Sequence, residues 1–178
     1  MRKIPKAIFT RWLEEHSSSV LKVARAYTLT KKIARIWLRE ILLQAWRSLP
    51  KFAGKASPGT WFYRVALHTA MNWHRNDQPR RQFQKPLLEV QTLATNSVDS
   101  SQQLEQQELL ERLYDAIHQL PRTDVALVLL YLDDMTYREM ARVLGISESN
   151  VGVQLNRAKK VLATLLEAEP AEGEADES

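Results

Sequence analysis

The chain has 178 residues, of which 44% are hydrophobic, a size that suits one or two small globular domains. It contains no cysteine, which excludes disulfides and thiolate metal sites, and its longest apolar run, residues 125–132, is too short to span a membrane. Because the N-terminal residues lack the apolar stretch of an export signal, we expect a cytoplasmic protein without membrane insertion.

Charge is distributed unevenly along the chain. Residues 1–85 hold 18 Lys and Arg against 4 Asp and Glu, a net of +14, whereas residues 86–178 hold 7 against 17, a net of −10. Such a basic half predicts a polyanionic partner whose binding weakens as salt rises. Six acids lie in residues 167–178, which we expect to form a disordered tail.

Hydrophobic spacing predicts an all-α fold, with helices in both halves and no alternating strand pattern. Leu21 and Ala24 mark an early helix, and a second helix is expected to end near Pro50. Its apolar positions are Trp37, Ile41, Leu42, Ala45 and Leu49. A loop with two glycines and a proline follows, and Thr60 is the predicted cap of a third helix.

The third predicted helix mixes aromatic and basic side chains. They are Trp61, Phe62, Tyr63, Trp73, Arg64, His68, His74 and Arg75. This mixture suits single-stranded nucleic acid, because rings stack on unpaired bases while cations follow the phosphates. Aromatics at helical spacing are also typical of a core, and we expect Phe62, Val65, Ala66 and Trp73 to be buried.

Residues 77–103 are rich in Gln, Ser, Thr and Asn, contain two prolines, and show little periodicity. This composition predicts a flexible linker between two domains, residues 1–76 and 104–166. Fully extended, the linker would reach about 80 to 90 Å, so the two domains need not touch.

Two further helices are predicted after the linker. The first has apolar positions Leu110, Leu113, Ile117 and Leu120. Pro121 opens the next, whose predicted core face is Val125, Val128, Leu129 and Leu132. Asp133 and Asp134 then fit a turn better than a metal site.

Residues 136–160 contain two short helical patterns with a glycine between them. Thr136 and Glu139 form a capping box, and Gly145 lies where a left-handed residue would end the helix. Ile146 is expected to make a buried elbow. Ser147 is placed to cap the second helix, whose first turn carries the favourable negative charge of Glu148.

The second of these helices is amphipathic, with an inner stripe of Val151, Leu155, Ala158 and Leu162. Its outer face is predicted to carry Ser149, Asn150, Val153, Gln154, Arg157 and Lys160. A helix-turn-helix places such a face in the DNA major groove, where Asn and Gln pair with adenine, Arg pairs with guanine, and Lys suits phosphate. The alternative is two packed helices with a glycine corner and a merely solvated face.

Both halves resemble one family. The stretch LPRTDVALVLLYLDDMTYREMARVLGISESNVGVQLNRAKKVLATLL is similar to region 4 of the extracytoplasmic-function (ECF) sigma factors of bacterial RNA polymerase. The stretch EILLQAWRSLPKFAGKASPGTWFYRVALHTAMNWHR resembles region 2 of the same family. The order of region 2, polar linker and region 4 is that family's architecture.

The resemblance implies roles for named residues. Region 2 would bind the clamp helices of the largest polymerase subunit through Trp37, Glu40 and Gln44. It would open the −10 element with Phe52, Lys55, Trp61, Tyr63, Arg64, His68 and Arg75, capturing a flipped base in the loop over residues 52–58. Region 4 would meet the polymerase flap and read the −35 element with the outer face given above. The family also implies an anti-sigma factor, no cofactor or metal, and no catalysis.

Two departures from the family pattern stand out. An acidic run is usual just before the EILLQAW-like segment, but here the positions read Ile33, Ala34, Arg35 and Ile36, and only Glu40 keeps the pattern. Polymerase binding through this surface therefore fails or uses a different balance of packing and charge, unless the apolar members are simply buried. His68 also replaces a common asparagine.

Two other classes of protein compete with this interpretation. A different helix-turn-helix regulator would use its N-terminal half for dimerisation or sensing. Such a protein would have no aromatic, basic surface for single strands. A DNA enzyme such as a recombinase would need an organised nucleophile, but the serines at 17–19 fall in a predicted helix. The four histidines also lack metal-ligand spacing.

Overall fold

The computed structural model describes residues 6–76 and 100–168, apart from the side chains of residues 73–76, 100 and 101. In these ranges the protein is helical, as predicted. The helices are α1 (Lys6–Ala26), α2 (Lys31–Ser48), α3 (Pro58–Asn76), α4 (Ser100–His118), α5 (Arg122–Leu132), α6 (Tyr137–Leu144) and α7 (Glu148–Glu167), with a short 3₁₀ turn at Leu49–Lys51. The predictions for Trp73 and Arg75 side chains, for linker residues 77–99 and for tail residues 169–178 lie outside the described residues.

Helices α1, α2 and α3 pack together as an N-terminal body. Val23, Trp37, Ile41 and Phe62 are almost fully buried at its centre. The Phe9 ring of α1 contacts both other helices of this body. It lies 5.0 Å from the Trp46 ring of α2 and 5.9 Å from the Phe62 ring of α3. These apolar contacts fix α2 and α3 against α1.

The beginning of α3 differs from the prediction. The helix begins at Pro58, and the Ser57 hydroxyl accepts a hydrogen bond from the Thr60 amide at 3.2 Å. Ser57 is therefore the cap, and the prediction of Thr60 was wrong. Thr60 lies in the first turn, buried, because Pro58 suits the first helical position and requires the cap immediately before it.

Helix α5 forms the centre of the C-terminal body and is buried all round from Asp124 to Leu130. Helices α6 and α7 pack on it, and α4 packs on α7. The prediction that Leu132 belongs to the core face of α5 was wrong. The helix ends there at the Asp133 turn, and Leu132 is 45% exposed. Helix α4 begins at Ser100, so residues 100–103, expected in the linker, are helical instead.

The two bodies contact each other. Helix α1 packs on α4 and α5, and α3 packs on α6. The linker length had suggested that the domains need not touch. In this structure they share an interface with several polar contacts across it.

Candidate nucleic-acid interface

The helix-turn-helix is built as its local sequence signals indicate. The Thr136 hydroxyl accepts a hydrogen bond from the Glu139 amide at 3.3 Å, and the Glu139 carboxylate accepts one from the Thr136 amide at 2.9 Å. Gly145 ends α6 with φ of 71°, a left-handed conformation that glycine adopts at little cost. Ser147 caps α7 by accepting from the Asn150 amide at 3.2 Å. The turn therefore sets the angle at which α7 leaves α6.

Helix α7 presents two different faces. Val151, Leu155, Ala158 and Leu162 are buried, as predicted. On the outer side Ser149, Asn150, Arg157 and Lys160 are exposed, Val153 is 72% exposed, and Gln154 is half-buried. The Gln154 side-chain amide donates to the Asn150 side-chain oxygen at 3.0 Å, which holds two candidate base-reading groups together at the N-terminal part of the helix.

Arg157 also makes an intramolecular ion pair that the sequence did not predict. Its Nη2 donates to both carboxylate oxygens of Asp124, at 3.1 and 3.4 Å. The Asp124 side chain is only 2% exposed, whereas that of Arg157 is 64% exposed. One edge of the guanidinium therefore neutralises a buried carboxylate at the start of α5, and the rest faces solvent.

A groove lies between the loop before α3 and α3 itself. Its volume is about 380 Å³, and it is lined by Lys51, Phe52, Ala53, Lys55, Ala56, Thr60, Trp61 and Arg64, together with Arg142 of α6. The Phe52 and Trp61 rings meet edge to face at 5.3 Å and are half-buried. Gly54 turns the loop with φ of 69°, which brings Lys55 back to the groove.

The groove has the chemistry expected of a site for an unpaired base. Aromatic walls supply stacking surface, and exposed Lys55 and Arg64 supply charge for the adjoining phosphates. Four predicted −10 residues come together here, namely Phe52, Lys55, Trp61 and Arg64. Lys51 and Arg142 line the groove without having been predicted, and proximity in space rather than sequence is what places Arg142 there.

Two other predicted −10 residues lie elsewhere. His68 is exposed one turn beyond Arg64 and is hydrogen-bonded to the Asn72 side-chain amide at 3.0 Å. Tyr63 is only 3% exposed, and its hydroxyl donates to the Asp133 carboxylate. Contact between Tyr63 and DNA is therefore not available in this conformation. For Arg75 the structure gives no side-chain position.

The predicted polymerase-binding residues differ in their exposure to solvent. Trp37 is 2% exposed and belongs to the core, so it cannot offer its ring to a partner here. The Glu40 carboxylate accepts from the Gln44 amide at 2.8 Å, and both residues are half-buried. Of the residues that stand in place of the acidic run, Ile36 is 46% exposed. Leu43, two turns farther along α2, is 42% exposed, so this face of the helix carries apolar surface.

Two properties of the described residues bear on other functions. Among the side chains that the structure describes, no group of three or more acids or histidines is placed to hold a metal ion. Within residues 6–76 and 100–168, no helix has the length and apolar character needed to cross a bilayer.

Family models match both bodies. Sigma-70 region 2 matches residues 12–80, and sigma-70 region 4 matches residues 110–162. The ECF sigma factor SigX of Bacillus subtilis is 30% identical over 73% of this chain and 69% of its own. The ECF sigma-E factor of Haemophilus influenzae is 26% identical over 88% of this chain and 86% of its own.

Solved structures agree with the fold. The sigma factor RpoE of Bartonella quintana, in complex with the anti-sigma factor NepR, superimposes with a TM-score of 0.67 at 15% identity, covering 91% of this chain and 98% of that one. CnrH, in complex with the cytosolic domain of CnrY, superimposes with a TM-score of 0.64 at 18% identity, covering 93% and 92%. With both helical bodies matched by family models and SigX aligned over more than two thirds of its length, this chain belongs to the ECF sigma factors of RNA polymerase, within the sigma-70 family.

Proposed function

We propose that the chain directs core RNA polymerase to specific promoters by making two separate contacts with DNA. Helix α7 would read the −35 element in the major groove, and the groove beside α3 would hold an unstacked base of the −10 element. The observation that carries this proposal is the pairing, in one chain, of a polar recognition helix with an aromatic, basic groove. A regulator that binds only duplex DNA has no use for the second feature.

The −35 contact rests on the exposed residues of α7. Ser149, Asn150, Val153 and Gln154 lie in the first two turns, the part of a recognition helix that reaches base edges. Lys160 lies farther along, exposed, where a phosphate contact fits. Arg157 can contribute only with the edge of its guanidinium that Asp124 does not occupy.

The −10 contact rests on stacking and charge. Melting costs a few kcal/mol for each unstacked base, and stacking on an aromatic side chain returns about 1 to 3 kcal/mol. Phe52 and Trp61 supply that surface in the groove, with Lys55 and Arg64 beside it. The chain itself would make and break no bond, since polymerase core carries the chemistry.

The polymerase contact would use the exposed face of α2. Ile36, Glu40 and Leu43 follow one another at spacings of four and three, so they lie on one side of the helix. Apart from Glu40 this face is apolar, so packing would replace part of the usual charge attraction to the clamp helices. An anti-sigma factor is a further proposed partner, because the solved RpoE structure contains the bound anti-sigma factor NepR and the CnrH structure contains the cytosolic domain of CnrY.

Transcription in vitro with purified core and a promoter library tests the proposal. Core with this chain should start at sites where core alone does not. At a promoter so selected, Asn150→Ala with Gln154→Ala should reduce initiation about 10-fold or more, since each good bidentate base contact is worth about 1 to 3 kcal/mol. Thr164→Ala, exposed near the other end of α7, is the matched control and should leave initiation unchanged. Absence of any new start site would overturn the assignment.

A further inference from the structure

The interface between the two bodies is polar and specific. The Tyr27 hydroxyl donates to the Arg122 carbonyl at 2.9 Å, and a His118 ring nitrogen lies 2.9 Å from the Arg25 carbonyl. Nearby, the Arg25 guanidinium stacks over the Tyr114 ring at 4.2 Å. These contacts join α1 to α4 and α5, so they fix one arrangement of the bodies rather than allow nonspecific association.

Asp133 has three polar partners across this interface. Its carboxylate accepts from the Ser19 hydroxyl at 2.7 Å, from the Lys22 ammonium, and from the Tyr63 hydroxyl. The side chain of Asp133 is 11% exposed. All three donors come from the N-terminal body, although Asp133 itself ends α5 in the C-terminal body.

The environment of Asp133 favours its charged form. Burial alone would raise the pKa of Asp133, but hydrogen bonds from Lys22, Tyr63 and Ser19 outweigh burial and hold that pKa below its usual range. Burial, and then the hydrogen bond to Asp133, raise the pKa of Tyr63 well above its usual value. Tyr63 therefore stays a donor and Asp133 stays an acceptor, which is the arrangement of a charge-assisted hydrogen bond.

The closed arrangement conflicts with simultaneous binding at both promoter elements. Helix α6 packs on α3 and on α7, and packed helices lie about 8 to 10 Å apart, so α7 lies within roughly 20 Å of α3. The −10 and −35 elements are about 25 base pairs apart, or roughly 85 Å at about 3.4 Å for each pair. Arg142 of α6 also lines the groove proposed for the −10 base. The bodies must therefore separate before both elements can be contacted.

We propose that Asp133, with its donors Ser19, Lys22 and Tyr63, is an intramolecular latch that keeps the free subunit closed and unable to engage a promoter. The effect of the latch on promoter binding rests on the proposed function, whereas the closed state itself is a property of the isolated chain. Opening exposes Tyr63 and the α3 surface for the DNA and frees the groove from Arg142. Residues 77–99 connect the two bodies along the sequence, and a chain of that length can span about 75 to 80 Å at about 3.3 to 3.6 Å for each residue.

Distance measurements on the free subunit test the latch directly. Because the chain has no cysteine, exposed Lys32 and Thr164 can be replaced by cysteine and labelled for energy transfer between α2 and α7. The otherwise unaltered protein should show a high-transfer, closed population. Asp133→Asn should raise the ratio of open to closed molecules about 10- to 100-fold, because three hydrogen bonds lose their charged acceptor.

The neighbouring residue supplies a matched control. Asp134 is exposed, and its positive φ of 56° is one that asparagine adopts as readily as aspartate, so Asp134→Asn changes the same charge without opening the molecule. Ser19→Ala with Lys22→Ala, on the other body, should open it as Asp133→Asn does. Unchanged transfer in both variants, with helical content retained by circular dichroism, would overturn the latch.

A second measurement separates this inference from the proposed function. If only open molecules bind polymerase core, Asp133→Asn should lower the half-saturating subunit concentration in a core-binding assay by up to the factor by which the open fraction rises. Opening without tighter core binding would overturn the inhibitory role of the latch while leaving promoter recognition untouched. Absence of promoter-specific initiation with the unaltered protein would overturn the proposed function while leaving the energy-transfer result intact.

Discussion

At the scale of single residues, Arg157, which we propose as a base-reading residue, is also the ion-pair partner of Asp124. Removing the guanidinium leaves an almost fully buried carboxylate without its cation. Because most of the Arg157 side chain is exposed, the expected loss lies below that of a fully buried pair. We expect Arg157→Ala to lower the free energy of unfolding by about 1 to 3 kcal/mol, measured by urea denaturation.

Lys160→Ala is the comparison for that variant. Lys160 is exposed on the same face, and its replacement should change stability by less than about 0.5 kcal/mol. Weaker duplex binding by Lys160→Ala would therefore report a lost phosphate contact. For Arg157→Ala, weaker binding would combine lost recognition with a loosened α7. Equal stability of the two variants would show that the Asp124 contact contributes little.

Glu139 gives a pH-dependent prediction. Hydrogen bonds from the Thr136 backbone amide, and then from the Thr136 hydroxyl, hold the pKa of Glu139 below its usual range. Stabilisation by this group is therefore complete above the ordinary Glu pKa of about 4.3 and is lost as pH falls through the lower folded value. Thermal unfolding of the unaltered protein and of Glu139→Ala should differ at about pH 7 and converge toward about pH 3. A difference that stays constant across this range would contradict the capping role.

At the scale of elements, the turn between α6 and α7 is held by backbone conformation. Gly145 has φ of 71°, and a β-carbon placed there would meet nothing within 4 Å, so the cost of a substitution is conformational rather than steric crowding. We expect Gly145→Ala to destabilise the protein by about 1 to 2 kcal/mol and Gly145→Asn to cost less, because asparagine tolerates this region. Denaturation midpoints of the two variants measure the difference. Equal costs would mean that side-chain contacts, not φ, decide this position.

The elements that the sequence predicted well are those defined by local signals. The capping box at Thr136, the glycine end of α6 and the Ser147 cap all lie within a few residues of the backbone groups they satisfy. The cap of α3 was assigned to Thr60 instead of Ser57, because both are hydroxyl residues close to Pro58 and only the helix start separates them. Helix α4 begins before the predicted end of the linker, because a Gln- and Glu-rich sequence suits a helix as well as a linker.

Contacts between distant parts of the chain could not be predicted in this way. Asp133 was expected only to shape a turn, yet its partners Ser19 and Tyr63 are 114 and 70 residues away. The groove is similar, since its loop and α3 residues were predicted together from the family resemblance, whereas Arg142 joins them through packing of α6 on α3. No sequence periodicity carries such information, because it depends on how two finished bodies meet.

At the scale of the whole molecule, closure brings opposite charges together. Lys22 pairs with Asp133 and Lys31 pairs with Glu111 across the interface, with the basic partner in the N-terminal body each time. The groove proposed for the −10 base lies at the same junction, since Arg142 of α6 lines it and Tyr63 of α3 binds Asp133. Closure and capture of a base in that groove would therefore compete with each other.

Salt provides the test of that competition at the level of the free chain. The screening length falls from about 10 Å at 0.1 M to about 3 Å at 1 M, so attraction between the two halves should weaken over this range. Energy transfer between labels at positions 32 and 164 should therefore decrease as salt rises, while the helical circular dichroism signal stays constant. Asp133→Asn should start from a lower transfer value and show a smaller salt dependence, because its interface has already lost its central charge. Transfer that stays flat with salt in the unaltered protein would show that apolar packing of α1 and α3 on the C-terminal body, and not charge, keeps the molecule closed.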